Sequence, residues 1–186
     1  MVENASSSAT PAASTPAELI VVTGLSGSGK TVALRTLEDL GYYCVDNLPA
    51  ALMPAFVQAI SQGAAGLHPK LAVGVDVRNP AENLGRLPAI LAELAQSEIA
   101  YRLVFLDTRD DVLIKRYSET RRRHPLSTEG LGLAEAIATE RRLLRPMLSI
   151  ADRVIDTSDL NVHQLRRIVI TEMGLAAGGL TLLFES

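Results

Sequence analysis

Eight residues near the start of this chain restrict its fold more than any other stretch: Gly24-Leu25-Ser26-Gly27-Ser28-Gly29-Lys30-Thr31, a full match to G-x-x-x-x-G-K-[ST]. They follow the apolar run LIVV and lead into TVALRTLEDL, which has helical periodicity. A strand must therefore end, turn on glycine and open a helix within a few residues, which converges backbone N–H groups and a helix N-terminus on one point. That point suits a phosphate. The glycines permit close backbone approach, Lys30 would reach the β- and γ-phosphates of a bound nucleotide, and the Thr31 hydroxyl would sit on Mg²⁺. With ordinary residue frequencies, a chance match in 186 residues is on the order of 1%. No Asn-Lys-x-Asp or other guanine-reading loop is present, so ATP and GTP stay open.

From Leu19 onward, short apolar runs alternate with helix-period segments. The strands expected are 19–23, 43–46, 71–76, 102–107, 153–156 and 180–185, and the helices 31–40, 50–62, 82–96, 111–118, 133–150 and 162–173. Gly41 reads as a helix stop, and Ser158 or Asp159 as the cap of the last helix. This alternation predicts an α/β fold: a mostly parallel sheet between two helix layers, of the P-loop NTPase type and nucleoside-monophosphate-kinase-like. Residues 1–17, almost all Ala, Ser, Thr and Pro, are read as a disordered tail, and 18–186 as one domain. No internal repeat is present.

Charge and composition exclude several functions. Eighteen cations against 21 carboxylates give a net charge of -3, so there is no bulk basic excess for nucleic acid. Fifteen of the cations are Arg, however, and Arg121, Arg122 and Arg123 form a local patch suited to phosphate. The single cysteine, Cys44, rules out a disulfide framework and a Cys-based zinc site. It fits a reducing, cytoplasmic setting, as a core thiol in a strand. His68, His124 and His163 lack metal-ligand spacing, and no apolar run is long enough to span a bilayer.

A phosphate loop needs a carboxylate from a neighbouring strand for the magnesium ion. Asp76 and Asp107 each end an apolar run, and each could equally cap the next helix. In the expected topology the third strand lies beside the first, which favours Asp76. Asp46 follows the second strand, where a carboxylate can take a proton from an acceptor hydroxyl; the alternative is an Asx-turn at Asp46-Asn47. Arg116 and Arg121 fall where an arginine-bearing lid closes on nucleotide. The same arginines also fit a solvated helix end or a contact with RNA phosphate.

GLSGSGKT, ALRTLEDLGYYCVDNLP, VDVRN, RRRHPL, VIDTSDL and TLLFES together resemble the RapZ/YvcJ family of bacterial P-loop proteins, from about Leu19 to Ser186. CVDNLP and DVRN are far more specific than the phosphate loop alone. The resemblance implies an N-terminal domain that binds ATP and GTP and hydrolyses both slowly. It implies a first nucleotide motif at Gly24, Leu25, Ser26, Gly27, Ser28, Gly29, Lys30 and Thr31, and a second at Asp76, Val77, Arg78 and Asn79. Family members continue past FES into a C-terminal domain that, in enterobacterial members, binds an amino-sugar phosphate, a regulatory small RNA and signalling partners. The Ala/Ser/Thr/Pro tail departs from the family pattern, as does Thr31 where Ser is common. Three functions compete: a nucleotide-dependent regulator of the RNase-adapter type, a small-molecule kinase, and an RNA-binding module using Arg121 to Arg123.

Overall fold

A computed structural model describes residues 18–62, 70–78, 81–97, 99–127 and 131–174. Residues 1–17, Asn79 and the expected strand 180–185 lie outside the described residues. The described residues contain five strands: β1 (Glu18–Gly24), β2 (Tyr43–Val45), β3 (Lys70–Gly74), β4 (Ala100–Asp107) and β5 (Arg153–Asp156). They run parallel in the order β2-β3-β1-β4-β5. Between them lie α1 (Lys30–Asp39), α2 (Met53–Gln62), α3 (Ala81–Gln96), α4 (Asp110–Thr120), α5 (Leu133–Ile150) and α6 (Val162–Val169).

The strands bury both faces, so their side chains divide by the period of two. Leu19, Val21, Val73, Leu103 and Phe105 pack with Leu87 and Leu91 of α3 and Leu144 and Met147 of α5. The intervening Ile20, Val22, Ala72, Val104 and Leu106 face Leu34 and Leu37 of α1 and Leu165 and Val169 of α6. β1 is thus clamped between β3 and β4, with Val22 opposite Gly74 and Gly24 opposite Leu106. The loops that leave β1, β3 and β4 emerge together at the carboxyl edge of the sheet, where ligands of open α/β sheets bind.

Several boundaries differ from expectation for local reasons. β3 ends at Gly74 instead of Asp76, the Val75 N–H making one last bond to the Val22 carbonyl before the chain turns. The last helix is capped by Asn161, not by Ser158 or Asp159: the Asn161 side chain accepts the Gln164 N–H, and the Gln164 side chain accepts the Asn161 N–H. Ser158 is held by Asp156, and Asp159 pairs with Arg109. The expected helix 50–62 starts as a 3₁₀ turn, Ala50–Leu52, and the expected helix 162–173 passes into π geometry at Ile170–Gly174. Cys44 is half-buried rather than fully enclosed. Its thiol lies 3.3 Å from the Leu34 carbonyl, and burial pushes its pKa up to about 11. No helix among the described residues is long and apolar enough to cross a membrane.

Candidate phosphate-binding site

Glycine is a steric requirement where the loop leaves the sheet. At Gly24 φ is +135° and a Cβ would lie 2.1 Å from the Leu106 carbonyl oxygen, so the loop leaves against the β4 backbone only without a side chain. Gly29, at φ +106°, caps α1, and a Cβ there would come within 2.6 Å of Leu165 on α6. The start of α1 has no side-chain cap and no acidic residue in its first turn, which leaves its positive pole open.

The loop borders a cleft of about 540 Å³. Gly27, Gly29, Lys30 and Thr31 form one wall, Asp46, Asp76 and Arg78 a second, and Arg116, Arg122 and Arg123 a third. Lys30 is buried. Its Nζ donates to the carbonyls of Gly24 at 2.8 Å and Leu25 at 3.1 Å. Burial pulls its pKa below the ordinary lysine value, opposed by the carboxylates of Glu140, Asp76 and Asp46. Thr31 is exposed in the first turn of α1 and lines the cleft.

Topology places Asp76 beside the loop and Asp107 on the far side of β1, as the strand order requires. Asp107 is committed to structure: its Oδ1 accepts the Thr108 N–H and Arg141 Nη1 at 2.9 Å. Asp76 differs from the free carboxylate expected for a metal. It is 2% exposed; Oδ1 accepts Arg78 N–H and Nε–H, and Oδ2 accepts Nε–H at 3.0 Å and Nη2–H at 2.6 Å. Burial raises its pKa, but the Arg78 bonds outweigh this and hold the carboxyl below its usual range. Asp46 is exposed and lies over Gly74, where a Cβ would come within 2.6 Å of its Oδ1. The turn after it is closed by the main chain, Leu48 N–H to Gly74 carbonyl at 2.9 Å, while Asn47 Oδ1 is buried with no partner among the described residues.

The arginines divide into two kinds. Arg116 is tied to the scaffold: Nη1 donates to the Gly27 carbonyl at 3.0 Å and Nη2 to the Thr157 carbonyl at 2.7 Å. Arg121 is the left-handed C-cap of α4, exposed and not among the residues lining the cleft. Arg122 and Arg123 take that place. Both are exposed and make no hydrogen bond or ion pair with the described residues.

Four residues of the loop's support, Thr108, His124, Glu140 and Thr157, were not singled out as site residues from sequence. Thr157 donates its hydroxyl to the Ser28 carbonyl at 2.8 Å and shares a hydroxyl bond with Thr108. Glu140, fully buried, accepts the N–H and hydroxyl of Ser26 and bonds His124 Nε2 at 2.8 Å. A signal for Glu140 was legible: it stands in the buried stripe of α5 with Ala136, Ile137, Leu144 and Met147, an odd place for a lone charge.

A parallel sheet with a glycine loop running from β1 into an uncapped helix defines a P-loop α/β protein in the nucleoside-monophosphate-kinase arrangement. Solved structures similar to this chain have that fold. They include a sugar kinase from Janibacter (TM-score 0.53, 17% identity, 87% of this chain and 96% of that one) and shikimate kinase from Bacteroides thetaiotaomicron (0.52, 18%, 86% and 98%). A third is the Bacillus subtilis protein YorR, solved with phosphorylated GDP (0.55, 16%, 86% and 97%). The chain itself belongs to the RapZ family: residues 17–176 match the RapZ-like N-terminal domain. Curated relatives named nucleotide-binding protein include one from Stenotrophomonas maltophilia, 53% identical over 97% of this chain and 60% of its own length. Another, from Methylococcus capsulatus, is 49% identical over 87% of this chain and 55% of its own length. The chain thus spans between half and two thirds of these relatives.

Proposed function

We propose that residues 18–186 form a domain that binds a nucleoside triphosphate, ATP or GTP, with Mg²⁺ in the loop 24–31 and hydrolyses it slowly. Occupancy of the site then biases the arginine segment for a partner to read. The observation that carries this is the uncapped start of α1 behind a loop whose glycines sit at positive φ, with the Lys30 ammonium beside it. The relatives' common name supports the same ligand. Thr31 would hold the ion, and Asp76 would do so only on releasing Arg78. Magnesium would neutralise charge on the transferring phosphoryl group. Arg122 and Arg123 would add to this from the opposite wall, since Arg116 is spent on Gly27 and Thr157. In the longer whole protein, of which this chain is like the N-terminal part, the domain would serve a cytoplasmic regulator of the RNase-adapter type. Its protein or small-RNA partners would be met through the remaining length.

A second reading, a small-molecule kinase, has one observation in its favour. Asp46 is an exposed carboxylate in the same cleft as Lys30, able to take a proton from an acceptor hydroxyl. Phosphorus NMR of Mg-ATP and Mg-GTP with the protein and a pool of hydroxylated metabolites separates the two. Diphosphate and free phosphate alone are expected. A new phosphoester resonance would establish the kinase. Lys30→Ala should abolish either reaction while leaving the fold intact, and wild-type turnover in that variant would sink the site assignment.

A further inference from the structure

Glu140 is a carboxylate with no solvent exposure, set among apolar residues of α5. Such a charge is tolerated only when its oxygens are fully bonded. Oε1 accepts the Ser26 N–H at 3.0 Å and the Ser26 hydroxyl at 2.6 Å; Oε2 accepts the same N–H at 3.0 Å and faces His124 Nε2 at 2.8 Å. His124 is buried as well, and its Nδ1 accepts the Leu126 N–H at 3.1 Å. With Nδ1 accepting, Nε2 is the ring nitrogen that donates to Glu140.

These bonds join two walls of the cleft. Ser26 lines it from the loop, while Arg122 and Arg123 line it from the other side and are followed at once by His124. The Ser26 N–H is spent inward on a fixed anion, which sets the curvature of the loop. The N–H groups of Gly27 and Gly29 take no acceptor among the described residues. Burial lowers the Lys30 pKa, and Glu140 is the first of the carboxylates that oppose that lowering.

We propose that Glu140 is a positioning residue of the phosphate loop. Through His124 it also couples the loop to the arginine segment, so that closure of Arg122 and Arg123 on a triphosphate and the setting of the loop form one equilibrium. The coupling rests on the nucleotide reading above; the positioning does not.

Amide NMR of the free protein tests the positioning. In Glu140→Gln the Ser26 amide resonance should move upfield and exchange faster, with amides of β1 and β3 unchanged; an unmoved Ser26 resonance would overturn it. Titration with Mg²⁺ and fluorescent N-methylanthraniloyl ATP or GTP tests the coupling. Arg123→Ala should weaken binding about tenfold in the wild-type background and clearly less in Glu140→Gln. Equal losses in the two backgrounds would overturn the coupling, as would a wild type that binds neither nucleotide, which would also end the nucleotide reading. If Glu140→Gln fails to fold, His124 carries both tests. His124→Leu, which takes one donor from Glu140, should displace the Ser26 resonance from its wild-type position and reproduce the weaker response to Arg123→Ala, and His124→Gln, whose amide donates to the same carboxylate, should restore both. Equal behaviour of Leu and Gln would overturn the proposal.

Discussion

The two sides of the cleft are built on opposite principles. On the loop side the contacts run inward: Lys30 to the Gly24 and Leu25 carbonyls, Ser26 to Glu140, Ser28 to Thr157 and Gly27 to Arg116. On the arginine side, Arg122 and Arg123 stand in water with no hydrogen-bond or ion-pair partner among the described residues. The loop is set during folding, at the cost of a buried lysine and a buried carboxylate. The arginines keep their hydration and side-chain freedom, and lose them only if an anion arrives. A wall bonded from behind supplies geometry, and an unbonded charged wall supplies response.

The largest test of this contrast is Gly24→Ala. Its Cβ would lie 2.1 Å from the Leu106 oxygen, so the loop wall cannot form without parting β1 from β4. A loss on the order of 3 kcal/mol or more is expected in urea unfolding. A variant as stable as wild type would show that the loop is not locked to the sheet.

Next in size, Arg122→Ala combined with Arg123→Ala should leave stability within about 0.5 kcal/mol, as for ordinary surface substitutions. Triphosphate turnover should fall by about a hundredfold, through loss of charge stabilisation. Arg121→Ala, outside the cleft lining, should cost less turnover than the double variant. The reverse order would return the responsive role to Arg121.

The smallest expected effect concerns Asp76, which belongs to the bonded kind although it lines the cleft. Its folded-state pKa is depressed by Arg78, so its contribution to stability is present above the unfolded carboxylate value and lost as pH falls through the folded one. Asp76→Asn should therefore flatten the decline in urea midpoint between about pH 5 and pH 2. An unchanged acid limb would mean that the Asp76–Arg78 pair is not formed in solution.

Much of the fold was legible because it rests on local patterns. Apolar runs such as LIVV and VFLD, separated by helical periods, demand buried parallel strands, and the glycines of 24–29 demand a turn no other residue can make. The position of Asp76 beside the loop followed from strand order. Its pairing with Arg78 did not, because two residues of spacing permit a bidentate bond without requiring one. Arg121 was favoured over its neighbours on sequence position, yet the left-handed turn at the end of α4 sends Arg122 and Arg123 into the cleft. The capping of α6 by Asn161 was missed because Ser158 and Asp159 are equally good caps in isolation, and both are drawn into other bonds.

The chain's residues alone thus dictated a phosphate-shaped loop between a strand and a helix, since that shape depends on backbone freedom and local hydrogen bonding. Which groups hold the loop from behind was a matter of folding. Ser26 and Glu140 are 114 residues apart, and Ser28 and Thr157 are 129 apart. A buried carboxylate finds its donors only once the sheet and α5 have closed around it, because long-range polar pairing is set by packing and has no periodicity along the chain.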